Sequence, residues 1–317
     1  MSLSPNENNM IDLKGRDILS VSDLSREEIF LLLERTKELK TSVKQRKGTL
    51  SGRILGLLFE KASTRTRASF EAAMGQLGGE VMYMRPDELH LGRGEPIKDT
   101  ARVLTEYLDA LVLRTYKHET PKEFAEYCDI PVINGLSDLE HPTQILCDLY
   151  TVLEARDQLE GLNFAWIGDG NNVCNSWLLG AGIMGMNIRV ATPKGFEPNS
   201  DILKRARALA NKSGSKLEVT RDPKEAAKRA HILYTDVWTS MGQEEEAEKR
   251  MKAFRGYQIN RDLLKAASEE VLVMHCLPAH RGMEITEDVL DGQKSIVWKQ
   301  AENKLHGAKA LLSLVID

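Results

Sequence analysis

Cysteine is scarce and scattered. The 317-residue chain has four, Cys128, Cys147, Cys174 and Cys276, with no CxxC pair and no metal-ligand spacing. That argues against a disulfide framework or a structural zinc site and points to reduced thiols in a cytoplasmic protein. Charge of one sign is lacking too. The 43 basic and 47 acidic residues leave a formal net charge of -4, so no global basic field exists to hold nucleic acid or an anionic membrane. No apolar run reaches the roughly 20 residues of a membrane span. The N-terminus, MSLSPNENNM, has neither an apolar h-region nor an arginine-rich amphipathic pattern, so no signal, transit or transmembrane segment is expected. Internal repeats and low-complexity tracts do not stand out. What remains, 42% hydrophobic and 28% charged, is the composition of a soluble globular protein with one large or two medium domains.

The hydrophobic pattern alternates between short apolar runs and amphipathic stretches. Ser25 and Glu28 form a capping box ahead of Ile29, Leu32, Leu33 and Leu39, the buried stripe of a first helix. The spacing then predicts strand 53–59, helix 65–77, strand 80–84, a glycine-containing loop 85–97, helix 98–109, strand ALVLR ending in Arg114, helix 121–128, strand 131–134 and helix 142–158. A second series follows: strand 162–168, helix 173–186, strand 187–191, helix 200–211, strand 216–220, helix 223–230, strands 231–235, 271–275 and 295–298, and a last helix over 299–314. The rhythm implies an α/β protein of two domains, each a mostly parallel sheet flanked by helices, with the active site in an interdomain cleft. The domain limits are placed at 1–146 joined by 299–317, and at 147–298.

The stretch that carries most chemistry is Phe59–Glu71, FEKASTRTRASFE. A buried strand, a short polar loop and a helix put Ser63, Thr64, Arg65, Thr66 and Arg67 at a helix N-terminus. There the first backbone N–H groups lack intrahelical partners and the helix dipole is positive. Hydroxyls and arginines at such a place make a phosphate site, or else an ordinary cap with solvated arginines. Arg114 ends a very apolar strand, where a guanidinium is costly unless it meets an anion. His141 precedes Pro142, which suits the first helical position, with Gln144 in the same turn. Gly168-Asp169-Gly170-Asn171-Asn172 superficially resembles a dinucleotide fingerprint, but Val173 stands where the third glycine is required, so a nicotinamide-dependent oxidoreductase is disfavoured. Asn172 offers a neutral amide for a carboxylate instead. Asp236, Ser240 and Met241 suit a zwitterionic amino acid, and the four glutamates from Glu244 to Glu248 read as a solvated helix start. Cys276, in His275-Cys276-Leu277-Pro278, is either packing or reactive chemistry.

FEKASTRTRASFE, HPTQ, DVWTSMG and HCLPAHRG, in this order and at these separations, resemble the ornithine carbamoyltransferases within the aspartate/ornithine carbamoyltransferase family. The likeness runs from about residue 11 to about residue 312. STRTR and HPTQ are shared with aspartate carbamoyltransferase, so the SMG and HCLP stretches carry the discrimination. The resemblance implies a first domain for carbamoyl phosphate and a second for ornithine, yielding citrulline and phosphate, a step of arginine metabolism that runs in the direction of arginine biosynthesis or, catabolically, in reverse. It implies no metal and no organic cofactor. It also implies a homotrimer or a multiple of trimers, with a neighbouring-subunit loop around His90 at each site.

By match of motif, Ser63, Thr64, Arg65, Thr66, His90, Arg114, His141, Gln144, Cys276, Leu277 and Lys304 would bind carbamoyl phosphate. Asn172, Asp236, Ser240 and Met241 would bind ornithine, and Cys276, Arg114, His141 and Asp236 would act in catalysis. Two positions depart from the family pattern. Most bacterial members have Gln at the place of His90, and the family usually has Arg at the place of Lys304, which keeps the charge but not the planar fork. A carbamoyltransferase for another amine, such as putrescine or an N-acylated ornithine, is the competing reading. An inactive binding paralogue is a further one.

Overall fold

The computed structural model describes residues 11–41, 48–239 and 244–317. The chain divides into two compact units. One is the chain up to Tyr150 together with Asn303–Asp317; the other is Thr151–Glu302. The limits expected from sequence lie four residues earlier at each crossing.

In the first unit the order is α1 (Arg26–Thr41), β1 (Ile54–Phe59), α2 (Thr64–Leu77), β2 (Glu80–Met84), α3 (Ile97–Thr105), β3 (Ala110–Arg114), α4 (Glu119–Tyr127), β4 (Val132–Leu136) and α5 (Pro142–Arg156). The Ser25–Glu28 capping box is present: Glu28 N–H donates to Ser25 Oγ, and Ser25 N–H to the Glu28 carboxylate. The strands form one parallel sheet in the order β2-β1-β3-β4. ILGLLF and ALVLR are apolar because β1 and β3 are central and covered on both faces. EVMYM alternates because β2 is an edge strand with half its side chains in solvent. Leu58, Leu111, Leu113, Phe124 and Val132 form part of the core.

In the second unit the order is β5 (Asn163–Ile167), α6 (Asn172–Met184), β6 (Asn187–Ala191), α7 (Ser200–Ser213), β7 (Leu217–Thr220), α8 (Pro223–Ala227), β8 (Ile232–Thr235), α9 (Ala247–Ala253), α10 (Arg261–Ala266), β9 (Leu272–His275) and α11 (Glu287–Leu290), and the last helix, α12 (Val297–Val315), starts here and belongs to the first unit from Asn303 on. The sheet is again parallel, β7-β6-β5-β8-β9. Phe164 stacks on Trp177 at 4.2 Å and Trp166 on Tyr234 at 5.2 Å between ring centroids. These contacts bind β5, β8 and α6 into one core.

One expected strand is not there. Residues 295–298 contribute only an isolated bridge, Ser295 to Val273, and helix α12 already begins at Val297. Ser295 sits where a hydroxyl can cap, and Gln300 N–H bonds Ile296 C=O at 2.8 Å to close the first turn. Ile296 and Val297 therefore belong to a helix start, although their β-branching reads as strand. The expected helices 98–109 and 223–230 are shorter, ending at Thr105 and Ala227. Arg229, at φ +59°, cannot continue an α-helix.

The glycines of the 168–170 turn have a packing reason. Gly168 sits at φ +141°, and a Cβ on Gly170 would lie 2.2 Å from Pro198 N and 2.4 Å from Glu197 C. By contrast, Gly75 in the last turn of α2 faces open space. Gly170→Ala should cost about 1–3 kcal/mol through overpacking against backbone, whereas Gly75→Ala should stabilise by about 0.5–1 kcal/mol through helix propensity. Denaturant unfolding of both variants checks this pair; equal effects of the two would contradict the packing account.

Candidate active site

In each sheet the chain leaves one central strand for one side and returns to the other. In the first unit β1 lies between β2 and β3, and in the second β5 lies between β6 and β8. At such a switch point the loops after two neighbouring strands part and leave a crevice at the carboxyl ends. Ser63–Thr66 and Arg114 fall at the first of these places and Asn172 and Asp236 at the second, while His141 and Gln144 follow β4 and Cys276 and Leu277 follow β9.

In the first unit Ser63 caps α2 in an extended conformation, and its Oγ accepts the Thr66 N–H at 3.2 Å. Thr66 is buried. The two arginines of the loop behave differently. Arg67 is spent on the surface, donating to Glu71 at 2.8 Å and lying over the Tyr83 ring at 3.5 Å. Arg65 is half-buried and has no hydrogen-bond or ion-pair partner among the described residues. A guanidinium held at a positive helix terminus without a counter-charge is an anion receptor. Phe59 pairs with Arg114 across the β1–β3 ladder, and Glu60 N–H bonds Arg114 C=O at 2.8 Å. A register shift between Leu113 and Arg114 against β4 turns this buried side chain at the strand end. Lys61 stacks over Tyr116 at 4.5 Å, and burial, then Arg114, pushes its ammonium pKa down. Lys61 was not anticipated; its position between β1 and the STRTR loop is the signal that points to it.

His141, Gln144 and Lys304 join the same unit. Pro142 opens α5, and Gln144 N–H bonds His141 C=O. Burial pushes the His141 pKa well down, and the Lys304 and Arg114 charges add to it. The imidazole is therefore neutral, a single N–H donor. Gln144 Nε2 donates to Asp148 Oδ1 at 2.8 Å, while its Oε1 accepts from Lys304 Nζ at 2.5 Å. An acceptor-only group at one end and a donor-only group at the other dictate which way the amide points. Thr66, Thr143, Cys147 and Lys304 line one small cavity of about 10 Å³, room for about one water. Burial raises the Cys147 thiol to about 12 and pushes Cys174 well up, so neither is a nucleophile at neutral pH.

His90 is exposed at the head of a 3-10 turn, His90–Arg93. No described bond brings its imidazole to the Ser63–Thr66 loop.

In the second unit Asp236 follows β8 and Asn171 follows β5. Asn171 caps α6 through Oδ1 and donates Nδ2–H to Asp236 Oδ2 at 2.7 Å. The other Asp236 oxygen accepts the Val237 N–H at 2.8 Å. The amide that reaches Asp236 is thus Asn171; Asn172 accepts from the adjacent Val173 N–H. Asn171 was missed, although Asn directly before an apolar helix is a cap signal. Asp169 is buried and paired with Arg250 at 2.7 Å. Burial drives its carboxyl up to about 6 against the pull of Arg250. Arg250 also donates to Trp238 C=O at 3.0 Å, tying the 168–170 turn to the chain entering the 240–243 stretch. Ser240 and Met241 lie outside the described residues.

Asp236, His275 and Cys276 bring their polar atoms within 4.8 Å of one another. This has the composition of a metal site, but both nitrogens of His275 are engaged. Nδ1 accepts the Leu277 N–H at 2.8 Å and Nε2 meets Glu284 Oε1 at 3.1 Å. No imidazole lone pair is left for a cation. What the cluster offers is a carboxylate beside a thiol. Leu277 has φ +59°, and the Leu277–Pro278 bond is cis.

Comparison with known proteins agrees with these features. The family described as aspartate/ornithine carbamoyltransferase matches by its carbamoyl-P binding domain over residues 16–154 and its Asp/Orn binding domain over residues 160–315. Ornithine carbamoyltransferase of Methanosarcina acetivorans is 53% identical over 299 residues, 94% of this chain and 98% of its own length. That of Archaeoglobus fulgidus is 52% identical over 301 residues, 94% of this chain and 96% of its own. Among solved structures, ornithine carbamoyltransferase from Pyrococcus furiosus has a TM-score of 0.93 at 47% identity, covering 97% of this chain and 99% of that one. Anabolic ornithine carbamoyltransferase from Campylobacter jejuni has a TM-score of 0.89 at 42% identity, covering 94% and 97%.

A pH dependence follows from His141. Its folded pKa lies below the unfolded value of about 6.5. The unfolded chain therefore takes up more protons below that pH, and stability falls as pH drops through it. Relative to His141→Asn, the parent should lose about 1.4 kcal/mol of unfolding free energy between pH 7.5 and 5.5. Chemical denaturation at both values measures the difference; an unchanged difference would mean that folding leaves the proton uptake of His141 unaltered.

Proposed function

The chain belongs to the aspartate/ornithine carbamoyltransferase family, and from that premise we propose that it transfers the carbamoyl group of carbamoyl phosphate to the δ-amine of L-ornithine, giving L-citrulline and phosphate. The observation that carries the first half is Arg65, a half-buried guanidinium without a partner among the described residues at the N-terminus of α2. Ser63, Thr64, Arg65 and Thr66 hold the phosphate with Arg114. Thr66, Arg114 and His141 donate to the carbonyl oxygen as negative charge develops on it. The neutral imidazole supports that role for His141, since a neutral ring keeps one N–H to give. Gln144, held between Asp148 and Lys304, takes the carbamoyl end. His90 serves the site of a neighbouring copy in a homotrimer or a multiple of trimers. Its exposure and lack of a described bond to its own loop support this.

Asn172, Asp236, Ser240 and Met241 bind ornithine, with Asn171 bracing Asp236. Cys276 and Leu277 lie at the junction of the two substrates. Asp236 and Cys276 position the amine and accept its proton. The step is direct acyl transfer: nitrogen bonds to the carbonyl carbon, the carbon–oxygen bond to phosphate breaks, and no enzyme-bound intermediate forms. No metal or organic cofactor enters. A cytoplasmic location is the reading that the four free thiols support. Citrulline formation as part of arginine biosynthesis fits the anabolic relative in Campylobacter jejuni.

The test is product formation from carbamoyl phosphate with ornithine, N-acetylornithine, putrescine and aspartate as separate acceptors. Turnover with ornithine alone is expected. Turnover with another acceptor instead would keep the phosphate half and overturn the ornithine half. Arg65→Ala should lower kcat/KM for carbamoyl phosphate by about a hundredfold, ~2.7 kcal/mol, and leave the ornithine KM within a few-fold. Unaltered phosphate affinity and turnover would refute the assignment of this loop.

A further inference from the structure

We infer that Glu140 and Ser20 are positioning residues for the transfer: residues 17–23 clasp the edge of the first sheet, and a buried hydroxyl–carboxylate bond from that segment fixes the chain directly before His141. This rests on the reading of His141 as a donor to the carbonyl oxygen.

Strand β4 is the last in the order β2-β1-β3-β4, so its far side needs hydrogen-bond partners. The N-terminal segment supplies them. Ile18 makes a parallel bridge to Ile133: Ile18 N–H donates to Val132 C=O and Asn134 N–H to Ile18 C=O, both at 2.9 Å. Val132 N–H donates to Asp17 Oδ1 at 2.8 Å, and Asn134 Nδ2 to Leu19 C=O at 2.9 Å. The chain then enters a 3-10 turn, Val21–Asp23, capped by Ser20. Asp23 Oδ2 accepts the N–H groups of Leu19 at 2.8 Å and Ser20 at 2.7 Å. Ser20 is therefore held firmly from its own side.

From that anchor Ser20 reaches the loop after β4. Its hydroxyl donates to Glu140 Oε1 at 2.6 Å, and Val21 N–H donates to Glu140 Oε2 at 3.2 Å. The Ser20 oxygen in turn accepts the Ser22 N–H at 3.2 Å, which leaves its proton for the carboxylate. Glu140 is fully buried and Ser20 nearly so. A short hydroxyl–carboxylate bond in such a place is a strong one. The backbone of the same loop is closed by Ser137 N–H to Glu140 C=O at 2.9 Å and by Glu140 N–H to Ser137 Oγ at 3.2 Å. On its other side His141 is held by α5, since its C=O accepts from Gln144 and Ile145 N–H. Glu140 thus supplies the second constraint on the imidazole. Without Ser20 a buried carboxylate oxygen loses its hydroxyl donor and turns toward water, taking the next residue with it. A donor aimed at a developing charge tolerates little displacement: about 1 Å can cost on the order of a hundredfold.

The test uses the full chain and steady-state citrulline formation. Glu140→Ala should lower kcat by roughly thirtyfold and Ser20→Ala by about fivefold, with both substrate KM values changed by less than about threefold. Glu140→Gln keeps a carbonyl for the Ser20 hydroxyl and should lose no more than about fivefold. A second arm separates positioning from general loosening of the fold. Both alanine variants are repeated in a His141→Ala background, where no imidazole is left to misplace. There each should lower kcat by less than about twofold, because effects that act through one group do not add. Should Glu140→Ala not fold, Ser20→Ala, which removes one oxygen, carries the same comparison. Equal factors in the two backgrounds, or a parent-like kcat in every alanine variant that folds, would overturn the inference. A His141→Ala variant as active as the parent would instead overturn the donor role of His141, and a parent that carbamoylates no ornithine would overturn the proposed function.

Discussion

Parallel pairing is the constraint on which everything else here depends. Every strand of a parallel sheet delivers its carboxyl end to the same edge, and each needs a crossover to return. Where successive crossovers leave in opposite directions, two loops separate and their polar groups gather at one place. This happens between β1 and β3 and again between β5 and β8. Residues far apart in the chain, Ser63–Thr66 with Arg114 and Asn171 with Asp236, meet for that reason. The central strands are buried over most of their length, which anchors the loops at their carboxyl ends.

Within that frame, charges are placed where water does not screen them. Burial, helped by the Lys304 and Arg114 charges, keeps His141 neutral, and Lys304 and Asp148 fix the direction of the Gln144 amide. In the second unit Asp169 and Arg250 form a buried pair that also holds the Trp238 carbonyl. Losing one partner of such a buried pair typically costs about 3–5 kcal/mol, more than a surface pair contributes. Arg67–Glu71 and Lys265–Asp262 belong to the second, inexpensive kind. The buried polar groups thus cluster near the candidate residues.

Most elements were legible because their signals are local. Apolar runs marked β1, β3, β5 and β8, and Ser25–Glu28 and Ser63 marked helix starts. The errors arose where one local signal served two structures. Ile296 and Val297 have strand propensity but form the first turn of α12, because Ser295 and the Gln300–Ile296 bond close a helix there. Asn171 and Asn172 are chemically identical neighbours, and only the turn after β5 decides that the first reaches Asp236. Glu284 drew no notice, since nothing in its local sequence distinguishes it from a surface glutamate.

What the sequence determined on its own was the alternating α/β order, the phosphate-type loop at a helix start, and the family to which the motifs point. Those follow from periodicity, capping and residue order, all readable within a few positions of each residue. The tertiary structure alone decided the partners: that Arg65 has no counter-charge among the described residues while Arg67 is paired with Glu71, that Lys304 meets Gln144 across 160 positions, and that His275 meets Glu284. Hydrogen bonds and ion pairs act over about 3 Å, and sequence separation places no limit on which groups packing brings that close.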